Sequence, residues 1–221
     1  MPSSLYLIML GPPGAGKGTQ AERLARRHGV PKISTGDILR EAVHAGTDIG
    51  KRAAAVIDRG ELVSDEVMIG IVRERLDRDD ARAGFVLDGF PRTVGQAVAL
   101  DSLMRDRGPL LVVHIAVPEH VLTERLHLRL VCEKCGANAV PAADAAGAMP
   151  TRCQRCGGEL VQRSDDGEAV VGERLKVYLR DTKPLVEYYR ARPTLRSIDG
   201  AQPLETVTAA LEAAVASMAG A

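Results

Sequence analysis

Residues 5–19 read LYLIMLGPPGAGKGT, six apolar residues followed by a stretch rich in glycine and proline that ends in Lys-Gly-Thr. A short apolar run that glycine closes predicts a buried parallel strand over Leu5–Leu10. The pattern then predicts a loop over Gly11–Gly18 and a helix over Thr19–His28, which Gly29 ends. Strand, glycine loop and helix in this order are typical of the first unit of a nucleotide-binding α/β fold.

The glycine loop predicts a site for a nucleoside triphosphate. Glycines let the backbone approach phosphate closely with several N–H groups pointing inward, and the positive end of the following helix faces the same point. Lys17 is placed to reach the β- and γ-phosphates. We expect ATP contacts from Gly14, Ala15, Gly16, Lys17, Gly18 and Thr19. The alternative is a glycine-rich turn that binds no ligand, which the flanking strand and helix disfavour.

The rest of the chain continues an alternation of helices and strands, with one interruption. Helices are predicted over Ser34–Ala45, Gly46–Gly60, Asp65–Asp77, Thr93–Arg107, Pro118–Leu128, Val170–Arg190 and Leu204–Met218, and strands over Phe85–Asp88, Leu110–Val117 and Arg196–Ile198. The segment from Cys132 to about Asp166 is rich in Gly, Ala and Pro and holds all four cysteines. The fold class is therefore α/β, a parallel sheet flanked by helices that carries an inserted module.

The composition excludes several classes of protein. The 221 residues include 29 basic and 29 acidic ones and no Trp, which disfavours a protein that holds nucleic acid. No run reaches the roughly 18 apolar residues of a membrane helix, and the first apolar run is too short for a signal peptide. We expect a cytoplasmic monomer with no nucleic-acid or membrane partner.

The cysteines form two Cys-x-x-Cys pairs that indicate a metal site. Seventeen residues, 136–152, separate the pair Cys132 and Cys135 from the pair Cys153 and Cys156, a spacing at which two knuckles can close a tetrahedral zinc site. Four thiolates fill the coordination sphere, so we expect the zinc to be structural. Two disulfides or free thiols are the alternative, which a cytosolic chain disfavours.

Beyond the glycine loop, three segments resemble those of the adenylate kinases, in the same order along the chain. Residues 34–40 (STGDILR) resemble the start of the AMP-binding region, and residues 60–63 (GELV) resemble its end. Residues 88–92 (DGFPR), with Gln96, resemble the family's Asp-Gly-Phe-Pro-Arg motif and its adenine-reading glutamine. The loop, whose hydroxyl comes from Thr19, has the form of nucleoside monophosphate kinases. The cysteine module resembles the long lid of zinc-containing bacterial members.

This resemblance implies the reaction MgATP + AMP ⇌ 2 ADP, in line and without a covalent intermediate, with structural Zn²⁺ and with Mg²⁺ on ATP. Charge neutralisation is expected from Lys17, Arg92, Arg129, Arg163 and Arg174. AMP contacts are implied for Thr35, Arg40, Glu61, Leu62, Val63, Gly89, Phe90, Pro91, Arg92, Gln96, Arg163 and Arg174. Further ATP contacts are implied for Arg125, Asn138, Ala139 and Gln202. Asp88, at a strand end, is placed to hold the water shell of Mg²⁺.

The resemblance also implies three units. They are a core over 1–33, 64–125 and 167–221, an insertion over 34–63 that binds the nucleoside monophosphate, and a zinc-containing lid over 126–166, whose acidic residues at 165 and 166 help to hold it closed.

Several alternatives stay open at this point. One is a kinase for UMP or CMP, or one that uses GTP, although UMP/CMP kinases have a short lid. Another is a zinc-ribbon binding module on a regulatory NTPase, which the neutral charge and the 88–92 motif disfavour. Locally, Ser34 and Thr35 could simply cap a helix, and Gln96 could be a surface residue.

Overall fold

A computed structural model of the chain describes residues 4–139 and 150–219. The strands are β1 (Leu5–Leu10), β2 (Lys32–Ser34), β3 (Gly84–Asp88), β4 (Leu110–Ala116), β5 (Leu130–Cys132), β6 (Asn138–Ala139), β7 (Leu160–Gln162) and β8 (Leu195–Asp199). The α-helices are α1 (Lys17–His28), α2 (Thr35–His44), α3 (Asp48–Asp58), α4 (Asp65–Leu76), α5 (Val94–Leu103), α6 (Glu119–His127), α7 (Glu168–Val177), α8 (Pro184–Arg190) and α9 (Leu204–Ala219). None of these described helices is long and apolar enough to cross a membrane.

The centre of the molecule is a five-stranded sheet in the order β2-β3-β1-β4-β8, in which all pairs are parallel. Strand β1 is buried along its whole length. Its residues Tyr6 and Ile8 belong to the core that α4, α5 and α8 cover, whereas Leu7 and Met9 belong to the core under α1 and α9. The unbroken apolar run of the sequence therefore serves two cores, as parallel strands require.

The order of the strands places the glycine loop at the centre of one sheet edge. Strand β1 pairs with β3 on one side and with β4 on the other, so the connections leave β1 in both directions. Ligands of open α/β sheets bind at the carboxyl ends of strands around such a point. The loop that follows β1 and the turn that follows β3 lie at this edge, and both carry predicted site residues.

Two insertions complete the fold. Helices α2 and α3 form the first, between β2 and α4, and Ser34 caps the start of α2, because its hydroxyl accepts a 3.2 Å hydrogen bond from the N–H of Asp37. Between α6 and α7 the chain forms a separate antiparallel sheet, in the order β6-β5-β7, around the four cysteines. The predicted fold class, with its helical insertion and its cysteine-bearing insertion, is confirmed. Residues 140–149 of the predicted lid, like 1–3 and 220–221 of the predicted core, lie outside the described residues.

The prediction of one long helix over Val170–Arg190 is wrong. A π-helical turn over Tyr178–Thr182 separates α7 from α8, and the N–H of Lys183 donates a 2.8 Å hydrogen bond to the carbonyl of Tyr178, five residues back. Pro184 follows and has no N–H to donate, so a regular α-helical ladder cannot continue through it. Such single π turns are frequent at functional sites.

Helices α1 and α5 also differ from their predicted bounds. Helix α1 begins at Lys17 rather than at Thr19, so its first residue is the lysine of the glycine loop. Helix α5 ends at Leu103 rather than at Arg107. The guanidinium of Arg107 instead donates a 2.8 Å hydrogen bond to the carbonyl of Leu76, at the end of α4. The cation thus satisfies an end carbonyl of a neighbouring helix.

Candidate functional site

The glycine loop brings the free N–H groups of a helix start to the edge of the sheet. Gly16 precedes α1 with φ +88°, a left-handed conformation that residues with a Cβ rarely adopt. The N–H groups of the first turn of a helix have no partner within the helix, and together with the helix dipole they favour an anion. Gly16, the N-cap of α1, has no side chain that could cap the helix. The local geometry is therefore that of a phosphate site.

Lys17 folds back over this loop. Its Nζ donates hydrogen bonds of 2.8 Å to the carbonyl oxygens of Gly11 and Pro12. Burial lowers the pKa of Lys17 to about 8; Asp88 opposes this decrease, whereas Arg92 adds to it. A buried ammonium surrounded by further cations is best stabilised by an anion of high charge.

A cavity of about 670 Å³ opens in front of the loop. Its lining includes every residue predicted to contact ATP, namely Gly14, Ala15, Gly16, Lys17, Gly18, Thr19, Arg125, Asn138, Ala139 and Gln202. Its volume lies in the range of sites for small molecules and cofactors. The lid and the carboxyl end of the sheet thus contribute walls to one cavity.

A smaller cavity, of about 70 Å³, adjoins the first. Its lining includes Thr35, Arg40, Glu61, Leu62, Val63, Gly89, Arg92, Gln96, Arg163 and Arg174. The residues that line both cavities include Arg40, Arg92, Arg163 and Arg174. Four guanidinium groups therefore lie where the two cavities meet.

Two residues that were predicted to contact AMP do not line the small cavity. Pro91 lines the large cavity rather than the small one. Phe90 lines neither, because its side chain is fully buried in the apolar core that also contains Leu87 and Ala97. The structure brings the backbone turn around Gly89 to the site and leaves the phenyl ring behind it as support.

Two aspartates hold three of the arginines. Asp165 binds Arg163 through two hydrogen bonds of 2.8 Å, and Asp166 accepts from both Arg129 and Arg174. The side chain of Asp166 is fully buried. Burial would raise the pKa of Asp165, but the charges of Arg174 and Arg163 lower it to about 2. Arg174 is also buried, and its burial lowers its pKa to about 10.

Arg92 and Arg40 are fixed from other sides. Nε of Arg92 donates a 2.9 Å hydrogen bond to the carbonyl of Gly89, and the hydroxyl of Thr182 donates one of 2.9 Å to the carbonyl of Arg92. Burial lowers the pKa of Arg92. Arg40 pairs with Asp37, whose carboxylate also lies 3.4 Å from Nζ of Lys32. Both guanidinium groups are thus oriented by partners within the chain.

Thr35 and Gln96 are both buried rather than solvated, each with 1% of its surface exposed. The hydroxyl of Thr35 donates a 2.9 Å hydrogen bond to the carbonyl of Gly89. The helix cap is Ser34, not Thr35. Gln96 accepts a 2.8 Å hydrogen bond from the backbone N–H of Arg92, so its interpretation as a surface residue is wrong.

Asp88 ends β3 beside the glycine loop. Its Oδ2 lies 3.2 Å from the position that a Cβ on Gly18 would take. Within residues 4–139 and 150–219, no hydrogen bond or ion pair occupies its carboxylate. Carboxylate oxygens suit Mg²⁺, which keeps most of its water shell in proteins. Asp88 therefore fits a magnesium ion that a bound triphosphate carries.

The four cysteines form one cluster. Their Sγ atoms all lie within 4.8 Å of one another, and Sγ of Cys132 lies 3.5 Å from Sγ of Cys156. Sγ of Cys135 lies 3.7 Å from Sγ of Cys153. Four sulfurs at about 2.3 Å from a tetrahedral ion are separated by about 3.8 Å, whereas a disulfide measures about 2.05 Å. The cluster can hold a metal ion and contains no disulfide.

Some cavity residues were not predicted from the sequence. They include Lys32, Asp37, Tyr178 and Thr182. Lys32 precedes the predicted AMP segment and Asp37 lies within it. A basic and an acidic residue so close to Arg40 are a signal of charge pairing. Tyr178 and Thr182 face the site because of the π turn, for which the sequence offered only Pro184.

The comparisons with known proteins agree with this geometry. A sequence profile described as "Adenylate kinase" matches residues 9–194. The chain belongs to the adenylate kinase family. An adenylate kinase of Moorella thermoacetica is 52% identical over 209 residues, which cover 94% of this chain and 96% of that protein.

Two further adenylate kinases are similar over nearly their whole length. The one from Archaeoglobus fulgidus is 49% identical over 95% of this chain and 97% of its own. The one from Rhizobium rhizogenes is 48% identical over 95% of this chain and 98% of its own. The resemblance that the motifs indicated is thereby confirmed, and the chain is an enzyme of the ATP:AMP phosphotransferase class.

Proposed function

We propose that the chain transfers the γ-phosphoryl group of MgATP directly to the phosphate of AMP, giving two molecules of ADP. The observation that carries this proposal is the position of Arg40, Arg92, Arg163 and Arg174 between the two cavities. A phosphoryl group that passes from one nucleotide to another must cross such a boundary. Its equatorial oxygens gain stabilisation from converging cations.

ATP occupies the large cavity in this proposal. The helix start and Lys17 bind its β- and γ-phosphates, and the hydrogen bonds of Lys17 to Gly11 and Pro12 are exchanged for phosphate oxygens. Arg125 and Gln202 line the cavity around the remainder of the nucleotide.

AMP occupies the small cavity and the region that it shares with the large one. Arg40 and Arg92 can each bind the phosphate dianion through two N–H groups. Gln96 offers one acceptor and one donor to the edge of adenine. The supporting observation is that Thr35, Leu62 and Gln96 line one cavity although they come from separate segments of the chain.

Catalysis requires no general base, because the attacking group is already an anion. The chain contributes position and charge: Lys17, Arg92, Arg129, Arg163 and Arg174 all line the large cavity. Asp165 and Asp166 hold three of these cations at fixed positions. Preorganised charges need little rearrangement as negative charge moves to the transferred group.

Closure excludes water, which would otherwise hydrolyse ATP. We propose that residues 34–63 and 126–166 are the units that move against the core. The turn that holds Asp165 and Asp166 contacts α3, which supports a direct interaction between the two insertions in the closed state.

Two places in the chain fit a metal ion. The cysteine cluster would hold a structural zinc ion, since its four sulfurs leave no coordination position for a reactant. Asp88 would hold a water of the magnesium ion that accompanies ATP, and this ion neutralises charge on the β- and γ-phosphates when it is bound.

A substrate panel tests the proposal. Formation of nucleoside diphosphate is measured with MgATP and each of AMP, UMP, CMP and GMP, together with ATP hydrolysis in the absence of any acceptor. We expect AMP to have the highest kcat/KM and hydrolysis to be negligible. Preference for another monophosphate would contradict the assignment of the small cavity. We also expect a monomer by light scattering, because one chain supplies the walls of both cavities.

A further inference from the structure

The side-chain amide of Gln96 is held on two sides. Its Oε1 accepts a 2.8 Å hydrogen bond from the backbone N–H of Arg92, and its Nε2 donates one of 2.8 Å to Oδ1 of Asp65. An amide rotated by 180° would place Oε1 against the carboxylate and the NH₂ group against an N–H. Both contacts would become repulsive in a nearly fully buried place. The two partners therefore fix one orientation of the amide.

Asp65 is itself fixed. It is the first residue of α4, where the helix dipole favours a carboxylate. Its Oδ2 accepts a 2.7 Å hydrogen bond from the hydroxyl of Thr93, and this hydroxyl accepts one of 3.2 Å from the N–H of Gln96. A Cβ on Gly95 would lie 2.9 Å from Oδ2 of Asp65, so a larger residue at position 95 would displace the carboxylate from this place. The arrangement joins the starts of α4 and α5.

The fixed amide has a defined pattern of free hydrogen-bonding positions. After the contacts to Arg92 and Asp65, one lone pair of Oε1 and one hydrogen of Nε2 are left for a ligand in the small cavity, which Gln96 lines. The 6-amino group of adenine donates and its N1 accepts, which matches this pattern. A 6-oxopurine offers an acceptor at O6 and a donor at N1, the reverse pattern. Only a rotated amide could serve it.

We propose that Asp65 is a specificity-determining positioning residue, which selects AMP over 6-oxopurine monophosphates by fixing the orientation of Gln96. Asp65 lines neither cavity and acts through Gln96 alone. The inference rests on the proposed function, in which the small cavity takes AMP.

The test is Asp65→Asn, because asparagine keeps the shape but offers either an acceptor or a donor to Gln96. IMP is the probe, since it differs from AMP only at position 6 and in the proton at N1. We expect kcat/KM for AMP to fall about tenfold, mainly through KM, and the preference for AMP over IMP to fall at least about tenfold. The KM for ATP stays unchanged. An unaltered AMP-to-IMP ratio overturns the proposal.

Glu66→Gln is the matched control, because it removes an exposed carboxylate from the same helical turn. It should alter neither the AMP-to-IMP ratio nor the KM for AMP. In a double-mutant cycle, Asp65→Asn should have no further effect on the AMP-to-IMP ratio once Gln96→Ala is present. An equal effect in both backgrounds would show that Asp65 does not act through Gln96, and would overturn the proposal.

The outcome for Gln96→Ala separates this inference from the proposed function. If Gln96→Ala leaves kcat/KM for AMP unchanged, the assignment of the small cavity to adenine fails, and the inference with it. If Gln96→Ala reduces it and Asp65→Asn does not shift the ratio, only the inference fails. Should Asp65→Asn not fold, Asp65→Glu moves the carboxylate by one methylene and carries the same expectation and the same contradiction.

Discussion

Nε of Arg129 donates a 2.7 Å hydrogen bond to Oδ2 of Asp166, whose side chain is completely buried. The other carboxylate oxygen of Asp166 accepts a 2.8 Å hydrogen bond from Arg174. One buried anion therefore separates two guanidinium groups that both face the large cavity. Without Asp166, two cations would lie together in a site of low dielectric. The carboxylate therefore stabilises the fold and at the same time fixes two of the cations that line the cavity.

Asp166→Asn should destabilise the protein and lower its activity together. Removal of one partner of a buried ion pair costs about 3–5 kcal/mol, because the charges that remain are uncompensated. We expect the free energy of unfolding in urea to fall by about 3 kcal/mol without nucleotide. Saturating MgATP and AMP should recover part of this loss, because their phosphates supply the missing negative charge.

The matched control is Asp181→Asn, which breaks the exposed pair between Arg180 and Asp181. Exposed ion pairs contribute about 0–1 kcal/mol, so this variant should unfold close to the wild-type midpoint. If Asp166→Asn were as stable as Asp181→Asn, Asp166 would not hold the two guanidinium groups in the folded protein.

Lys17→Met should lower turnover far more than stability. Loss of one preorganised cation from the phosphate site should reduce kcat at least about 100-fold. The variant loses two hydrogen bonds to carbonyl groups, but it also no longer buries an ammonium group whose pKa burial lowers to about 8. These effects oppose each other, so the free energy of unfolding at pH 7 should change by less than about 2 kcal/mol.

Kinetics and urea denaturation of Lys17→Met check this balance, with the exposed Lys51→Met as the control. A folded Lys17→Met enzyme with wild-type turnover would remove Lys17 from the mechanism.

The same lysine predicts a pH dependence of ATP binding. In the free enzyme its pKa is lowered to about 8, and bound phosphates should raise it again. ATP affinity should therefore be constant below pH 8 and fall by up to tenfold per pH unit above it, with uptake of one proton on binding. Calorimetry between pH 7 and 9.5, in buffers of different ionisation enthalpy, measures both quantities.

Lys17→Met should show no such proton uptake over this range. If it takes up as many protons as the wild type, another group titrates.

The free energy of unfolding depends on pH in the opposite direction to ATP affinity. Between pH 8 and about 10.5 the unfolded chain binds more protons at Lys17 than the folded chain. The difference in free energy of unfolding between wild type and Lys17→Met should therefore shift in favour of the wild type as pH rises through this window.

Much of this site could be predicted from the sequence, because its parts are local. The glycine loop, the 88–92 turn and the cysteine pairs each need only a few consecutive residues to define their geometry. The contact between Asp65 and Gln96 joins residues 31 positions apart, and no periodicity announces it. The π turn at Tyr178–Thr182 was missed for a different reason, since the apolar spacing around it still fits an α-helix.

The burial of Phe90 could not be foreseen either. Its motif suggested a ligand contact, but the direction of its side chain depends on how the turn after β3 packs on α5. Asp37 lies in reach of both Arg40 and Lys32 only once β2 and α2 are folded. Local chemistry could thus be predicted, whereas the tertiary contacts that orient it could not.

The cysteine cluster predicts a bound metal ion. Apart from the four sulfurs, the apolar cluster formed by the described residues of this module contains little more than Leu130, Leu160 and two alanines, so we expect metal binding to supply stability that this burial does not. We expect the purified protein to contain one zinc ion per chain, measured by plasma emission spectrometry. Cys153→Ser should lose most of it, because a serine hydroxyl is a poor ligand for zinc.

Loss of the ion should act on the lid rather than on the core. In Cys153→Ser, amide exchange should accelerate in β5 and β7 and stay unchanged in β1 and β4, since the core has its own apolar clusters. Turnover should fall at least about tenfold, because Arg129 and Arg163 flank the module and their positions depend on it. Glu133→Ser, which changes an exposed residue within the same knuckle, is the control. Wild-type enzyme from which a chelator has removed the metal should match Cys153→Ser in both amide exchange and turnover. If amide exchange in the lid of this metal-free enzyme were as slow as in the untreated enzyme, the four thiols would hold the module without metal.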